Sequence, residues 1–429
     1  MAPLGPFGPA PRIAAGVSGG PHSLALALLA ARWARARGGD LLALVADHGL
    51  RPDSGAEAEG VAALLATHGI AARVLRLGLS AGAGMQERAR AARLAALSAA
   101  AAADGRPWLL LGHHRGDQAE TLLFRALRGS GPAGLAAMAP ARDGGAVLVL
   151  RPLLGVAPAT LEAVLAEAGI TPVRDPSNRD ARFARVRLRM SLGDPDGTGP
   201  AVVALAAAAA AFGTRRDRAA AAVAARLAEA AEIRPEGFAW VAPEPLGRDA
   251  VGWAALAGLF ALVGGAAYAP PPGAVAALAG RGGGTLAGAW LRPGAGGRWL
   301  LARDPGMIGP DVEAVQGAAW DGRFRMTGPG RPGWRLGALG DGAAGIRRET
   351  GLPAAVLRAM PAVRDPHGAL AAVPGLDYPS SLACAPFALV LGRAAHGSGV
   401  FGRAIQGWST RPYVYCSTPA GPSVRHGDG

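Results

Sequence analysis

Short apolar runs alternate with longer, alanine-rich stretches along the N-terminal third of the chain. The apolar runs predict strands at residues 12–17, 41–46, 72–77 and 108–113. The stretches that follow them predict helices at residues 23–37, 55–68, 84–103 and 117–128. A further strand at 147–154 and a helix at 158–169 continue the pattern. Strands that alternate with helices indicate a parallel sheet covered on both faces, so the predicted fold class is α/β with a doubly wound parallel sheet.

The turn between the first predicted strand and the first helix is the hexapeptide Ser18-Gly19-Gly20-Pro21-His22-Ser23. Glycine lets the backbone approach an anion closely, and a helix N-terminus offers unpaired N–H groups with a partial positive charge. Pro21 suits a first helical turn, and the hydroxyls of Ser18 and Ser23 can donate to phosphate oxygens. The segment predicts a phosphate-binding loop, although a Gly-Gly turn is often only a turn.

Polar residues also follow the second and fourth predicted strands, namely Asp47, His48, His113 and His114. Ligands of doubly wound sheets bind beyond the carboxyl ends of the strands, so these residues and the phosphate loop are expected to share a crevice. Asp47 can hold Mg²⁺ or a ribose hydroxyl there, or it can be a turn acid. His48 is interpreted as structural. Zinc binding by His113 and His114 is not expected, because adjacent side chains seldom converge.

An acid pair stands at the start of the fourth predicted helix. Asp117 and Glu120 are three residues apart, so both carboxylates face one way. Such a pair suits an ammonium group or a metal ion. The alternative is that the two acids only match the positive end of the helix dipole.

Arginines share faces on two other predicted helices. Arg90 and Arg93 could neutralise phosphates from the third helix, or could simply be solvated. The segment 175–189 is predicted as a loop that enters a helix with a basic stripe, formed by Arg182, Arg185, Arg187 and Arg189. A basic stripe suits RNA phosphates, and the alternative is an exposed arginine-rich helix.

Composition narrows the chemistry. The 429 residues carry a formal net charge of +13, and all 44 basic residues are arginine. The charge favours an anionic partner, nucleic acid before membrane, with biased codon usage as the alternative explanation. The lack of lysine excludes a Walker-type loop and a Schiff-base lysine. Cys384 and Cys416 form no CxxC pair, which fits a reducing cytoplasm. The uncharged segment 251–270 is interpreted as a buried helix rather than a membrane span.

In order and spacing, the motifs resemble the tRNA(Ile)-lysidine synthetase family of N-type ATP pyrophosphatases. The motifs are the phosphate loop, DHGLRP at 47–52, HHRGDQAET at 113–121, RGSG at 128–131, RPLL at 151–154 and the segment 175–189. The resemblance implies a PP-loop ATP pyrophosphatase domain, related to the adenine nucleotide alpha hydrolases, at residues 1–195. A helical, tRNA-binding middle domain at 196–288 and a small α+β C-terminal domain at 289–429 would follow, with a linker near 193–200.

The resemblance implies a ligase that uses ATP with Mg²⁺ and free L-lysine to modify the isoleucine tRNA with a CAU anticodon. O2 of the first anticodon cytidine attacks the α-phosphate and pyrophosphate leaves. The lysine amine then displaces AMP from C2, which gives lysidine. A cytoplasmic protein that binds no membrane is implied, and a homodimer is left open.

The resemblance also implies roles for individual residues. The ATP phosphates would be held by Ser18, Gly19, Gly20, Pro21, His22 and Ser23. The substrate lysine would be held by Asp117, Glu120 and Arg90. Catalytic roles fall to Asp47, Arg93, Arg185 and Arg187, while no metal ligand is assigned.

Three residues depart from the family's pattern. His22 stands where the loop usually has Asp, Leu94 where Tyr is usual, and Gly116 where an acid or amide is common. A neutral imidazole is a poor Mg²⁺ ligand, because that ion prefers oxygen. The favoured hypothesis is a working enzyme, and the alternative is a tRNA-binding relative whose adenylation is impaired by His22.

Overall fold

A computed structural model describes residues 1–47, 49, 53–78, 85–145, 147–173, 182, 184–379 and 381–391. His48, the loop 175–180 and Cys416 lie outside the described residues, as does the predicted helix start at Gly84. The chain divides into two compact units, Met1–Ala219 and Ala220–Gly429, and the boundary falls inside a helix. The predicted domain limits at 195/196 and 288/289 stay predictions.

The first unit alternates strands with helices over most of its length. Its strands are β1 (Arg12–Val17), β2 (Asp40–Asp47), β3 (Ala71–Arg76), β4 (Trp108–Leu111), β5 (Ala141–Asp143) and β6 (Leu148–Leu150). Its helices are α1 (Pro21–Arg35), α2 (Ser54–Thr67), α3 (Met85–Ala103), α4 (Arg115–Ala126), α5 (Pro132–Leu135), α6 (Pro158–Glu167), α7 (Ala184–Leu192) and α8 (Pro200–Ala230), which runs past the unit's boundary.

The six strands form one sheet in the order β3-β2-β1-β4-β6-β5. Five strands are parallel, and only the edge strand β5 runs antiparallel, to β6. The chain moves outward from β1 to β3 and then returns to the other side of β1 with β4. The gap between the ends of β1 and β4 is therefore the switch point at which doubly wound sheets bind ligands.

Alternation along the strands puts apolar side chains on both faces of this sheet. Odd-numbered residues of β1, such as Ile13 and Val17, pack with α1, α2 and α6 in one core. Even-numbered positions such as Ala14 and Leu44 pack with α3 in a second core. Burial on both faces is the reason that these strands read as continuous apolar runs. The doubly wound α/β prediction is confirmed.

Two short elements near the sheet edge differ from the prediction. The strand predicted at 147–154 is only β6, three residues long, and it ends before Arg151. The antiparallel β5 was not predicted, because its sequence Ala-Arg-Asp has no apolar pattern. The basic helix expected after residue 175 is α7, and the linker expected near 193–200 is a loop that ends where α8 begins.

The second unit is built from antiparallel sheets and short helices. Its strands are β7 (Ala231–Arg234), β8 (Phe238–Val241), β9 (Gly284–Leu286), β10 (Ala289–Pro293), β11 (Trp299–Arg303), β12 (Val312–Val315), β13 (Ala319–Trp320), β14 (Phe324–Met326), β15 (Gly330–Ala338), β16 (Pro361–Arg364), β17 (Leu370–Ala372) and β18 (Leu389–Leu391). Its helices, apart from the end of α8, are α9 (Pro243–Leu246), α10 (Ala250–Gly264), α11 (Pro272–Gly280), α12 (Ala343–Thr350), α13 (Ala354–Arg358) and α14 (Ser381–Cys384).

These strands form three sheets, in the orders β7-β8-β11-β10-β9, β12-β15-β16-β17 and β13-β14-β18. The uncharged segment at 251–270 contains α10, which is buried against the five-stranded sheet. Of the helices described, none is both long and apolar enough to span a membrane. The prediction of a buried helix is therefore confirmed.

Candidate active site

The phosphate loop closes on itself through its two serines. The hydroxyl of Ser23 accepts from the backbone N–H of Ser18 at 3.1 Å and donates to the carbonyl of Gly20 at 2.9 Å. The two hydroxyl oxygens lie 3.3 Å apart. Gly20 is the N-cap of α1 and supplies no side-chain acceptor, while Pro21 occupies the first turn. The leading N–H groups of this helix therefore face the end of β1 as an anion cradle.

Glycine is required at two places around this loop. Gly19 has φ +78°, and a Cβ there would lie 2.7 Å from Cγ2 of Val61. Gly112, directly after β4, passes so close to α1 that a Cβ would lie 3.0 Å from the carbonyl oxygen of His22 and 3.1 Å from Cα of Ser23. The close approach of backbones at Gly112 holds the ends of β1 and β4 together at the switch point.

Replacement of Gly112 by Ala is expected to push the first turn of α1 away from β4. We expect the free energy of unfolding to fall by about 1–3 kcal/mol, as in overpacked cores, and nucleotide binding to weaken with it. Chemical denaturation and nucleotide titration measure the two effects. Gly60→Ala is the matched control, because nothing lies within 4 Å of a Cβ at that helical position. Equal behaviour of the two variants would contradict the close approach described here.

A pair of histidines in edge-to-face contact joins the loop to α4. The ring of His22 meets the ring of His114 edge to face, with centroids 4.0 Å apart. His114 is the N-cap of α4, and its Nδ1 accepts from the N–H of Gly116 at 3.1 Å. A Cβ on Gly116 would lie 3.1 Å from Cε1 of this ring. The departures His22 and Gly116 thus belong to one packing arrangement, in which the missing side chain at 116 leaves room for His114.

Burial keeps two imidazoles of the site neutral. It lowers the pKa of His22 to about 4, and the charge of His114 adds to the effect. Nε2 of His22 is buried and has no hydrogen-bond partner among the described residues. Burial also lowers the pKa of His113 to about 4, against the opposing influence of Asp117. His22 therefore brings neither a positive charge nor an oxygen ligand to the phosphate loop at neutral pH.

The predicted acid pair lies beside these histidines. Asp117 Oδ2 accepts from the backbone N–H of His114 at 3.0 Å, which completes a capping box at the start of α4. Burial would raise the pKa of Asp117, but His114, His113, the backbone N–H and Arg189 outweigh it, so the pKa lies below its usual value. Glu120 is only 3% exposed. Both acids face the same side of α4, as their spacing predicts.

Arg189 of α7 completes the acidic site. Its Nε donates to Oε1 of Glu120 at 2.5 Å and its Nη2 donates to Oε2 at 3.1 Å. The same Nη2 lies 4.0 Å from Oδ1 of Asp117. The sequence placed Arg189 in the basic stripe and gave it no role in the site. A buried carboxylate is costly unless it is paired with a cation. Had Glu120 been expected to be buried, the basic stripe would have been the place to look for its partner.

Several other arginines gather at the same edge of the sheet. Partial desolvation and the charges of Arg185 and Arg93 lower the pKa of Arg90. Burial lowers the pKa of Arg93, and burial with the charges of Arg142 and Arg90 lowers that of Arg151 to about 10. Mutually repelling guanidinium groups next to a helix N-terminus are suited to a polyanion. Arg151, directly after β6, was not among the predicted site residues.

The remaining predicted residues occupy different surroundings. Arg185 lies with its guanidinium carbon 5.7 Å from the ring centroid of Phe124, whereas Arg187 donates to the carbonyl of Arg182 at 2.9 Å. Asp47, at the end of β2, accepts from the N–H of Gly49 at 2.9 Å. Leu94 packs into the core between α3 and the sheet, which accounts for an aliphatic residue there. No group of three or more His, Cys, Asp or Glu that could hold a metal ion occurs in the described part of the chain.

Comparison with known proteins identifies sequences and a structure that are similar to this chain. The family described as the PP-loop domain matches residues 4–195, which include β1 to α7. The tRNA(Ile)-lysidine synthase of Novosphingobium aromaticivorans is 49% identical over 184 residues, or 42% of this chain and 56% of that protein. This chain therefore spans little more than half the length of that relative. A solved structure, the U34-tRNA thiolase NcsA from Methanococcus maripaludis, aligns with 49% of this chain. The alignment includes 74% of the thiolase chain, at 16% identity and a TM-score of 0.42.

A second curated relative is matched over a longer stretch of the chain. The tRNA(Ile)-lysidine synthase of Methylobacterium sp. is 44% identical over 257 residues, or 59% of this chain and 72% of that protein. This match is longer than the 184 residues matched in the first relative. With most of that relative covered at this identity, the chain belongs to the tRNA(Ile)-lysidine synthase family.

Proposed function

We propose that the protein joins L-lysine to C2 of the first anticodon cytidine of the isoleucine tRNA with a CAU anticodon, at the expense of ATP. One observation carries the proposal, namely that an acid pair suited to an ammonium group adjoins a phosphate cradle. The ring of His22 in the loop contacts that of His114 edge to face, and His114 caps the helix that carries Asp117. An amine donor and an activated phosphate ester would therefore meet at the switch point of the sheet.

The reaction proceeds in two displacements. In the first, O2 of the cytidine attacks the α-phosphate of ATP, the bond to the bridging oxygen breaks, and pyrophosphate leaves. In the second, the lysine amine attacks C2, AMP leaves with the former O2, and the amine gives up a proton. Adenylation turns a poor leaving oxygen into a good one. Catalysis then consists mainly of positioning and charge neutralisation.

Each group of the site has a role in this scheme. The N–H groups and hydroxyls between Ser18 and Ser23 hold phosphate oxygens. Asp117 and Glu120 form the pocket for an ammonium group of lysine, and Arg90 nearby suits the carboxylate of the same amino acid. Arg93 and Arg185 neutralise charge on the departing groups, and a catalytic role for Arg187 and Asp47 remains part of the proposal.

Mg²⁺ does not fit the described residues as a protein-held ion. His22 offers a neutral, buried nitrogen where an oxygen ligand would be needed, and no cluster of acids able to hold a metal occurs among the residues described. Arginines and backbone N–H groups supply positive charge around the phosphate loop. We therefore assign no step to a protein-bound metal ion.

The tRNA is the partner that the charge of the chain favours. The net charge is +13, and arginines lie along α7 and at the edge of the sheet. We propose that the segments 196–288 and 289–429 hold the body of the tRNA while the first unit takes the anticodon base, which must leave its stack to be modified. We also propose a cytoplasmic location, and a homodimer stays open.

The alternative is a tRNA-binding relative with impaired adenylation. The observation in its favour is the neutral His22 in the loop. The packing of His22 on His114, with Gly116 making room, argues against it, because the neighbouring residues have adjusted to the imidazole.

Incubation of the full chain with ATP, Mg²⁺, labelled lysine and the CAU-anticodon isoleucine tRNA tests the proposal. We expect label in the tRNA that depends on ATP. We also expect His22→Asp to stay within about tenfold of the natural protein, because catalysis rests mainly on positioning that this exchange leaves in place. ATP-independent tRNA binding without incorporation, or a rise well beyond tenfold in His22→Asp, would favour the impaired relative.

A further inference from the structure

The acidic site contains two carboxylates and one guanidinium group. Arg189 pairs with Glu120 through two hydrogen bonds, whereas its nearest atom to Asp117 is 4.0 Å from Oδ1, beyond hydrogen-bond distance. The other oxygen of Asp117 accepts from the backbone of His114. Within the described residues, Oδ1 of Asp117 is thus the acceptor left for a ligand, and the formal charge of the three side chains is −1.

The surroundings of the site explain why this charge matters. The edge-to-face contact between His22 and His114 joins the helix that carries the acids to the loop where phosphates, and the divalent ions that accompany them, would arrive. Two unpaired carboxylates on one helical face would attract such an ion more strongly than an ammonium group, since the attraction grows with both charges. A cation fixed on one of the carboxylates removes half of that attraction.

We propose that Arg189 is a specificity-determining positioning residue, which neutralises Glu120 so that the site accepts one ammonium group and rejects divalent cations. The ammonium ligand is the lysine of the proposed function, on which this inference rests. Arg189 acts through Glu120 and touches no reacting atom. The side chain of Arg189 is 43% exposed, whereas that of Glu120 is 3% exposed. The guanidinium group therefore covers a buried carboxylate.

The placement of Arg189 also links the ammonium pocket to α7. Arg185 lies one helical turn earlier on that helix, beside Phe124 and close enough to Arg90 to lower its pKa. The ion pair with Glu120 fixes the end of α7 against α4. Loss of Arg189 is therefore expected to misplace the amine and to lower kcat, while KM for lysine stays level or falls.

Divalent-cation binding tests the charge argument without ATP, lysine or tRNA. Mn²⁺ is titrated into the full-length protein and the free ion is followed by electron paramagnetic resonance. We expect Arg189→Gln to bind Mn²⁺ at least about tenfold more tightly than the natural protein, because the site gains one net negative charge. The double variant Arg189→Gln/Glu120→Gln and the charge-conserving Arg189→Lys are expected to lose this binding. Arg12→Gln is the matched control, since it removes an arginine from an exposed ion pair with Asp104.

Lysine incorporation into the tRNA, measured for the same variants, provides a second test of the inference. We expect kcat to fall about tenfold in Arg189→Gln and to recover in Arg189→Lys, with Mn²⁺ competing against lysine only in Arg189→Gln. The thermal midpoint of each variant is measured first, and all titrations are made below the lowest of them. The inference would be overturned if Arg189→Gln bound Mn²⁺ no more tightly than the natural protein. It would also be overturned if Arg189→Lys bound Mn²⁺ as tightly as Arg189→Gln. Absence of incorporation by the natural protein would overturn the proposed function instead, whatever the Mn²⁺ result.

Discussion

Replacement of Asp117 by Asn is expected to lower kcat/KM for lysine by about 10²–10³-fold, the range found when one partner of a buried charge pair is removed. Asparagine can still accept from the N–H of His114, so the cap of α4 remains while the charge is lost. Since Arg189 already neutralises Glu120, Asp117 carries the charge that a lysine ammonium would meet. Steady-state incorporation of labelled lysine into tRNA, with lysine varied, measures the effect.

Asp249→Asn is the matched control for this variant. Asp249 also caps a helix, accepts from a backbone N–H at 2.7 Å and pairs with an arginine, but it lies in the second unit. We expect its kcat/KM for lysine to remain close to that of the natural protein. A similar loss in both variants would mean that helix capping, not the charge at position 117, controls the reaction.

The first unit was largely predictable because its sheet is buried on both faces. Continuous apolar runs bounded by Gly and Pro indicated β1 to β4 to within a residue or two, and the glycine after β1 indicated the phosphate loop. Three-residue strands such as β5 contain too few positions for a period to appear. The strands β7 and β8 follow the long helix α8 inside a segment predicted as helical. Each is only four residues long, which is too short for an alternating pattern to be recognised there.

The site was predictable in its residue types but less so in its pairings. Spacing placed Asp117 and Glu120 on one face of α4, because three residues nearly complete a helical turn. The same rule could not tell which arginine of α7 meets Glu120, since the rotation of one helix against another depends on packing. Arg189 makes that contact, while Arg187 bonds to a carbonyl in its own segment.

The coupling of His22 with Gly116 was also hidden from the sequence. The two residues are 94 positions apart, and each reads as an isolated departure from the family's pattern. In the fold both residues adjoin His114: the ring of His22 contacts it, and a Cβ on Gly116 would lie only 3.1 Å from its Cε1. We therefore interpret them as one coupled change at the contact between the phosphate loop and α4, which favours a working enzyme over an impaired relative.

The buried histidines are expected to make the protein unstable in mild acid. The pKa of His22 and of His113 is lowered from 6.5 to about 4, in both cases chiefly by burial. As pH falls below 6.5, the unfolded chain binds protons at these positions and the folded chain does not. Unfolding is therefore favoured progressively between pH 6.5 and about 4, below which both states are protonated. We expect the two groups together to lower the free energy of unfolding by about 5 kcal/mol over this interval.

Denaturant unfolding at a series of pH values measures this loss, and paired variants assign it. His113→Asn and His22→Asn each remove one titrating imidazole from the site, so each is expected to flatten the fall in stability between pH 6.5 and 4. His367→Asn, which removes an exposed imidazole from the second unit, is the control and should leave the fall unchanged. The carboxylates with lowered pKa, Asp117 among them, lose their contribution only at lower pH, as the folded state is protonated there. An equally steep fall in all three variants would show that the acid sensitivity arises elsewhere than at the phosphate loop and its neighbouring histidine.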